Sequence, residues 1–151
     1  MRWRCCRCGD ANELPPPSGF DLGHMDVSGS EGQASSRDHT PDQAMMIYLS
    51  VTLLLDGLRR FLSGRARTYA SSAVDSSFSL DFRREKRGTI ATSHQGSLVH
   101  RSSAEEVAAA VFDAAEEFAR THLSELPADD AGRTDLEQSL AEFKKFLDQR
   151  D

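Results

Sequence analysis

The feature that most constrains this chain is an apolar segment between Ala44 and Phe61 in which large side chains recur at steps of three and four. The main stripe comprises Ala44, Ile47, Tyr48, Val51, Leu54, Leu55, Leu58 and Phe61. Three more apolar residues, Met46, Leu49 and Leu53, extend the apolar surface around most of the cylinder. This spacing predicts an α-helix, and one so broadly apolar must be covered on several sides.

Both ends of this first helix carry recognisable signals. Thr40 is predicted as the N-cap, Pro41 as the first helical residue, and Gln43 as the partner in a T-x-x-Q capping box. Ser63 and Gly64 predict the end of the helix. The longest apolar stretch, residues 44–55, contains Ser50 and Thr52 and is shorter than the roughly 20 residues of a membrane span, so we expect a core helix.

After the helix, the hydrophobic period changes from 3.6 to 2. Residues 74–82 alternate apolar and polar side chains and predict a strand, which Tyr69 could extend backwards. A charged turn over 83–88 leads to a second predicted strand over 89–93, and a turn at 94–96 leads to a third over 97–101. The three strands are typical of an antiparallel meander.

Two amphipathic helices are predicted after the strands. Ser103 and Glu106 form an S-x-x-E capping box, and the apolar stripe that follows ends at Pro127. A second stripe runs from Leu136 to the C-terminus. The predicted fold class is therefore α+β with two layers, in which three helices pack on one face of a small antiparallel sheet of three to four strands.

Residues 1–40 look different from the rest of the chain. They contain a Cys/Arg cluster, the prolines Pro15 to Pro17, and a polar stretch over 28–40 with no large apolar side chain. We predict a loosely ordered N-terminal extension, which could contribute an edge strand near 20–28, followed by a single α+β domain over 41–150.

Charge is unevenly distributed along the chain. The formal net charge of −6 combines −3 over residues 1–55, +5 over 56–103 and −8 over 104–151. The basic middle and the acidic end could form opposite faces or could neutralise each other on folding. The overall acidity argues against a surface built as a whole for a polyanion.

The three cysteines all lie within the first eight residues, so a disulfide cannot staple the fold. Cys5 and Cys8 form one C-x-x-C pair, which is half of a zinc site, and His24 and His39 could complete it only with long, irregular spacing. An incidental cysteine-containing tail is the better interpretation, and we expect no metal and no cofactor.

A second candidate site is a basic hairpin tip. Arg83, Arg84, Lys86 and Arg87 cluster between two predicted strands, and clustered cations of this kind bind phosphate. No aromatic residue interleaves with them to stack on bases, so nucleic-acid binding is not favoured. A solvated turn that discourages edge pairing explains the cluster more simply.

Catalytic chemistry has little support in the pattern. The residues that could form a Ser/His/Asp arrangement in or beside the predicted sheet are Asp75, Ser76, Ser77, His94 and His100, but no G-x-S-x-G elbow accompanies them. We therefore assign no catalytic residue and expect the protein not to be an enzyme.

The favoured function is a protein–protein interaction module, comparable as a class to small acidic immunity proteins or regulatory partner proteins. The partner would contact the acidic C-terminal helices or a residual apolar face of the first helix, which could also form a homodimer. Anion or nucleic-acid binding through the residues 83–87 is the alternative. The prolines at 15–17 interrupt any signal-peptide pattern, so we expect a cytoplasmic protein without membrane contact.

Overall fold

A computed structural model describes residues 1–9 and 16–151 of the chain. The helices are α1 (Ile47–Ser63), α2 (Ala104–His122) and α3 (Ala131–Asp148). The strands are β1 (Arg2–Arg7), β2 (Leu22–Ser28), β3 (Gln33–Ser35), β4 (Met45–Met46), β5 (Thr68–Ser72), β6 (Ser79–Arg84), β7 (Thr89–His94) and β8 (Ser97–Ser103). The α+β class is confirmed.

The strands of the described residues form two antiparallel sheets of four strands each. In sheet A, β2 pairs with β1, β3 and β4. Sheet B is a meander in the order β5-β6-β7-β8. Sheet B corresponds to the predicted meander, whereas sheet A was not expected.

The predicted loose extension over residues 1–40 is wrong for the residues that the structure describes there, namely 1–9 and 16–40. Trp3 of β1 is only 5% exposed and stacks on Phe82 of β6, with ring centroids 6.3 Å apart. Met25 and Val27 of β2 belong to the same hydrophobic core. The strand predicted near 20–28 exists, but it lies in the middle of sheet A and not at an edge. Pro15 falls outside the described residues.

The predicted start of the first helix is also wrong, because α1 begins at Ile47 and not at Pro41. Met45 and Met46 instead pair with Gly23 and Leu22 of β2. The side chain of Gln43 donates to Ser77 Oγ at 3.2 Å, so it is not part of a capping box. The pairing of Met45 and Met46 with β2 therefore overrides the local sequence signal for the start of the helix. The predicted end is confirmed, since Gly64 N–H donates to Arg60 O at 3.0 Å.

The strand predicted over 74–82 is confirmed only for residues 79–82, which belong to β6, whereas Tyr69, predicted as its backward extension, lies in the separate strand β5. Residues 73–78 form the connection between β5 and β6, closed by a bond from Ala73 N–H to Phe78 O of 2.9 Å. The charged turn is shorter than predicted, because residues 83 and 84 belong to β6. The turn between β7 and β8 is confirmed, with positive φ at both Gln95 and Gly96, as a type I′ hairpin requires.

α2 begins as the sequence predicts, whereas α3 begins at Ala131, ahead of the predicted stripe that starts at Leu136. Ser103 and Glu106 form the capping box of α2, and the Asp130 side chain accepts from Arg133 N–H at the start of α3. Together with the sheets, these helices cover α1 so well that Leu53, 50% exposed, is the one large apolar residue of α1 left open. None of the helices in the described ranges is long and apolar enough to cross a membrane.

Candidate functional site

The four residues of the predicted basic site do not converge. Arg84 turns away from the tip: its Nη2 donates to Phe61 O at 2.8 Å, and its guanidinium lies 5.0 Å from the centroid of the Phe61 ring. It therefore satisfies a carbonyl near the C-terminal end of α1. Lys86 and Arg87 lie exposed in a short 3₁₀ turn at the hairpin tip. Arg84 is thus a structural residue.

Arg83 is engaged on the outer side of sheet B. Its Nη2 donates to Glu85 Oε1 at 2.7 Å, and Arg101 Nε donates to Glu85 Oε2 at 2.8 Å. These two hydrogen bonds, from Arg101 and Arg83, hold the pKa of the Glu85 carboxyl below its ordinary value. The carboxylate partly neutralises both cations. The sequence does not predict this role of Glu85, because Arg83 of β6 and Arg101 of β8 reach the same carboxylate only after sheet B has formed.

Cys5 and Cys8 do not form half of a metal site. Cys5 lies in β1 and packs against the core, whereas Cys8 is exposed beyond the end of β1. Residues three apart on an extended chain point to opposite faces. His24 bonds to Ser36 Oγ and His39 to Ser35 O, so neither is directed at the cysteines. Over residues 1–9 and 16–151 no three His, Cys, Asp or Glu side chains are placed to hold a metal ion.

Burial gives Cys5 and Cys8 different reactivities. Desolvation, together with the charges of Cys6 and Asp26, raises the pKa of the Cys5 thiol to about 12. At pH 8 this lowers its thiolate fraction roughly a thousandfold relative to a free cysteine. Burial raises the pKa of the Cys8 thiol as well, but Cys8 is exposed, so we expect iodoacetamide to alkylate Cys8 before Cys5, with the Cys5 rate rising about tenfold per pH unit. Peptide mass spectrometry measures both rates, and Cys5 reacting as fast as Cys8 would contradict this placement.

The residues considered for catalysis have separate hydrogen-bond partners. His94 Nδ1 bonds to Ser79 O at 2.7 Å, and its ring stacks on Phe78. His100 Nδ1 bonds to Ser30, and Asp75 lies exposed in the connection between β5 and β6. The structure does not bring them together as a nucleophile and its base.

The outer face of sheet B is an open surface with a shallow concavity. Register places Thr68, Arg83, Ala91 and Arg101 in one row across the four strands, and Ala70, Asp81, Ser93 and Leu98 in the next. Small side chains in the middle leave a concavity of about 530 Å³. The inner face carries buried Leu80, Phe82 and Ile90. The sequence predicts which side chains of β6 face outward. Which residues of the neighbouring strands lie beside them depends on the register of all four strands.

Scans of protein-family models, curated proteins and solved structures found no match to this chain.

The basic middle and the acidic end of the chain form no ion pair with each other among the described residues, although Arg59 lines a concavity with Asp135 and Glu142. The ion pairs of the described residues join groups within the same third of the chain, as in Arg83 with Glu85 and Arg150 with Glu105, and none joins residues 56–103 to residues 104–151. Among the described residues, the acidic end therefore does not neutralise the basic middle through direct ion pairs. Sheet B keeps its own basic rim, and α2 and α3 keep their acidic outer faces.

Proposed function

We propose that this chain is a protein-binding module, of the immunity-like or regulatory kind, that recognises another protein through the outer face of sheet B. The observation that carries the proposal is the contrast between the two faces of this sheet. Leu80, Phe82 and Ile90 are buried on the inner side, while Thr68, Asp81 and Arg101 are exposed on the outer side. Binding surfaces supported by a rigid, packed scaffold need little reordering on association.

The chemistry of the face suits a protein partner. Ala70 is exposed and Ser93 is half-buried, and both side chains are small, so a partner can approach the backbone closely at these two positions. The bridge from Arg83 through Glu85 to Arg101 holds two guanidinium groups in place at the rim. Arginine is enriched in protein interfaces, and rim charges set specificity and the rate of encounter.

A steric variant tests this face. Ser93→Arg would fill the centre of the concavity, and Ser124→Arg, an exposed site beside the end of α2, is the matched control. Each variant is crosslinked to its neighbours in the cells that produce it. A protein captured in stoichiometric amount is then purified, and its affinity for each variant is measured by calorimetric titration. We expect Ser124→Arg to bind like the wild type and Ser93→Arg to bind at least about tenfold more weakly.

Two outcomes of this titration would contradict the proposed surface. In one, Ser93→Arg retains wild-type affinity for every reconstituted partner. In the other, a Glu116→Lys variant on the acidic face of α2 loses binding while Ser93→Arg keeps it, which assigns recognition to the helices.

Anion binding by the hairpin is the weaker candidate, because Glu85 neutralises Arg83 and because Arg84 points to α1. We expect the wild type to leave a phosphate resin at low salt. Glu85→Gln removes the carboxylate charge between two guanidinium groups and should elute later, with a steeper dependence on salt. Equal elution of the two proteins would show that Glu85 does not mask these cations, and late elution of the wild type would favour the anion-binding alternative.

A further inference from the structure

The outer edge of β5 carries unpaired backbone groups. The register of β5 with β6, and the bonds from Arg84 N–H to Arg67 O and from Ala73 N–H to Phe78 O, show which residues face β6. Because bonding alternates along an antiparallel strand, residues 69 and 71 bond to β6, and Thr68, Ala70 and Ser72 direct their N–H and C=O groups outward. Within the described part of the chain, no backbone group pairs with these three residues.

The two edges of sheet B differ in protection. The loop 29–32 lies against β8, where Glu31 N–H donates to Val99 O at 3.0 Å and Ser30 N–H donates to His100 Nδ1 at 3.1 Å. No loop of residues 1–9 or 16–151 covers β5 in this way, and its sequence TYASS contains no charge and no proline. Natural edge strands usually carry such devices, since an undefended edge is a template for another strand.

The charged residues on either side of β5 indicate which strand could pair with its free edge. Exposed Arg65 precedes the strand and exposed Asp75 follows it, and neither forms an ion pair among the described residues. The two positions are equally distant from Ala70 along the chain, and Arg67, the one further charged residue between them, stands opposite the neutral Ala73 when the segment is aligned antiparallel with its own copy about Ala70. Such a segment is complementary to its own antiparallel copy.

We propose that the occupant of this edge is a second copy of the chain, added antiparallel along β5 with Ala70 on the two-fold axis. In this register Thr68 pairs with Ser72 of the second copy, and Ala70 pairs with Ala70. All three outward-facing residues of each copy then make both of their ladder bonds, which gives six hydrogen bonds in total. Arg65 of each copy lies near Asp75 of the other. The result is a continuous sheet of eight strands with isologous symmetry.

Leu53 lies beneath the same edge. The Tyr69 hydroxyl donates to Leu53 O at 3.4 Å, and the Tyr69 ring packs over Gly57 one turn further along α1. These contacts bring the backbone of α1 close to β5, whereas the exposed Leu53 side chain lines a concavity with Asp135 and Ser139 of α3.

Sedimentation equilibrium of the full chain over a range of concentrations tests the proposal. Ala70→Pro removes an outward N–H donor that β6 does not use, and Ala70→Ser keeps that donor in a similar volume. We expect a wild-type and Ala70→Ser dimer that weakens with salt, and at least tenfold weaker association for Ala70→Pro. Circular dichroism checks that Ala70→Pro is folded. A wild type that is monomeric up to about 1 mM overturns the proposal, as does an Ala70→Pro dimer of unchanged affinity.

Charge reversal tests the register without disturbing the backbone. Arg65→Asp and Asp75→Arg should each weaken the dimer several-fold, because each places like charges together twice in the symmetric assembly. The double variant restores opposite pairs and should recover wild-type affinity. Failure of the double variant to recover, or single variants with wild-type affinity, would overturn this register. These measurements use no other protein, so their failure is independent of the proposed partner binding.

Discussion

A chain lacking residues 1–40 is expected to lose cooperative folding. The deletion removes β1, β2 and β3, and with them Trp3, Met25, Val27 and Ala34 from the core. Met45 and Met46 lose their pairing with β2, and the start of α1 is left open to water. Domains are stable by only about 5–15 kcal/mol, so the loss of a whole sheet cannot be absorbed. Thermal denaturation followed by near-UV circular dichroism should show a transition for the full chain and none for residues 41–151.

Point variants test the same prediction without shortening the chain. Trp3→Ala removes a buried ring that joins sheet A to Phe82 of sheet B, and a change of this kind costs about 3–5 kcal/mol. The matched control is Phe20→Ala, because Phe20 is 70% exposed and its loss should change stability by about 0.5 kcal/mol or less. Equal stability of the Trp3→Ala variant and the wild type in urea would mean that β1 is not part of the folded domain.

Gly23→Ala is expected to be the most damaging single methyl addition in sheet A. A Cβ at Gly23 would lie 2.2 Å from Cys6 O and 2.7 Å from Ile47 Cβ, so it would meet the backbone of β1 and the first residue of α1. Neither neighbour is the mobile end of a long side chain. Overpacking of this kind typically costs about 1–3 kcal/mol and more where the backbone must move, and we expect at least 3 kcal/mol here.

The adjacent Leu22→Ala variant serves as the control for Gly23→Ala. Leu22 lies on the same strand and is 44% exposed, so its truncation should cost about 1 kcal/mol or less. Urea titration of both variants gives the comparison. A Gly23→Ala protein as stable as Leu22→Ala would contradict the close approach of β1, β2 and α1.

Local signals predicted most of the C-terminal two thirds. The Ser103 to Glu106 capping box and the turn at Gln95 and Gly96 are both encoded within four residues of the element that they limit. The N-cap signal at Thr40 failed because Met45 and Met46 form strand pairs with residues more than twenty positions earlier. No local pattern encodes such pairing.

The N-terminal sheet could not be predicted because β1 does not look like a strand with one buried face. In the folded strand, Arg2 and Arg4 are exposed on one side, whereas Trp3 is buried and Cys5 is half-buried on the other. The sequence alone does not show this alternation, because the strand consists mostly of arginines and cysteines. The arrangement of charges on the outer face of sheet B could not be predicted from the sequence either. The basic residues 83–87 were visible as a run, but the opposite directions of Arg83 and Arg84 and the bridge through Glu85 depend on the paired strands.

The most direct test of an open, self-complementary edge on sheet B is amide hydrogen exchange along β5, measured by NMR at low and high protein concentration. In the dilute protein, the N–H groups of Tyr69 and Ser71 should be protected by β6, whereas those of Thr68, Ala70 and Ser72 should exchange rapidly. At high concentration the latter three should become protected. If all five amides are protected in the dilute protein, or if these three exchange rapidly at every concentration, the edge is not the interface described above.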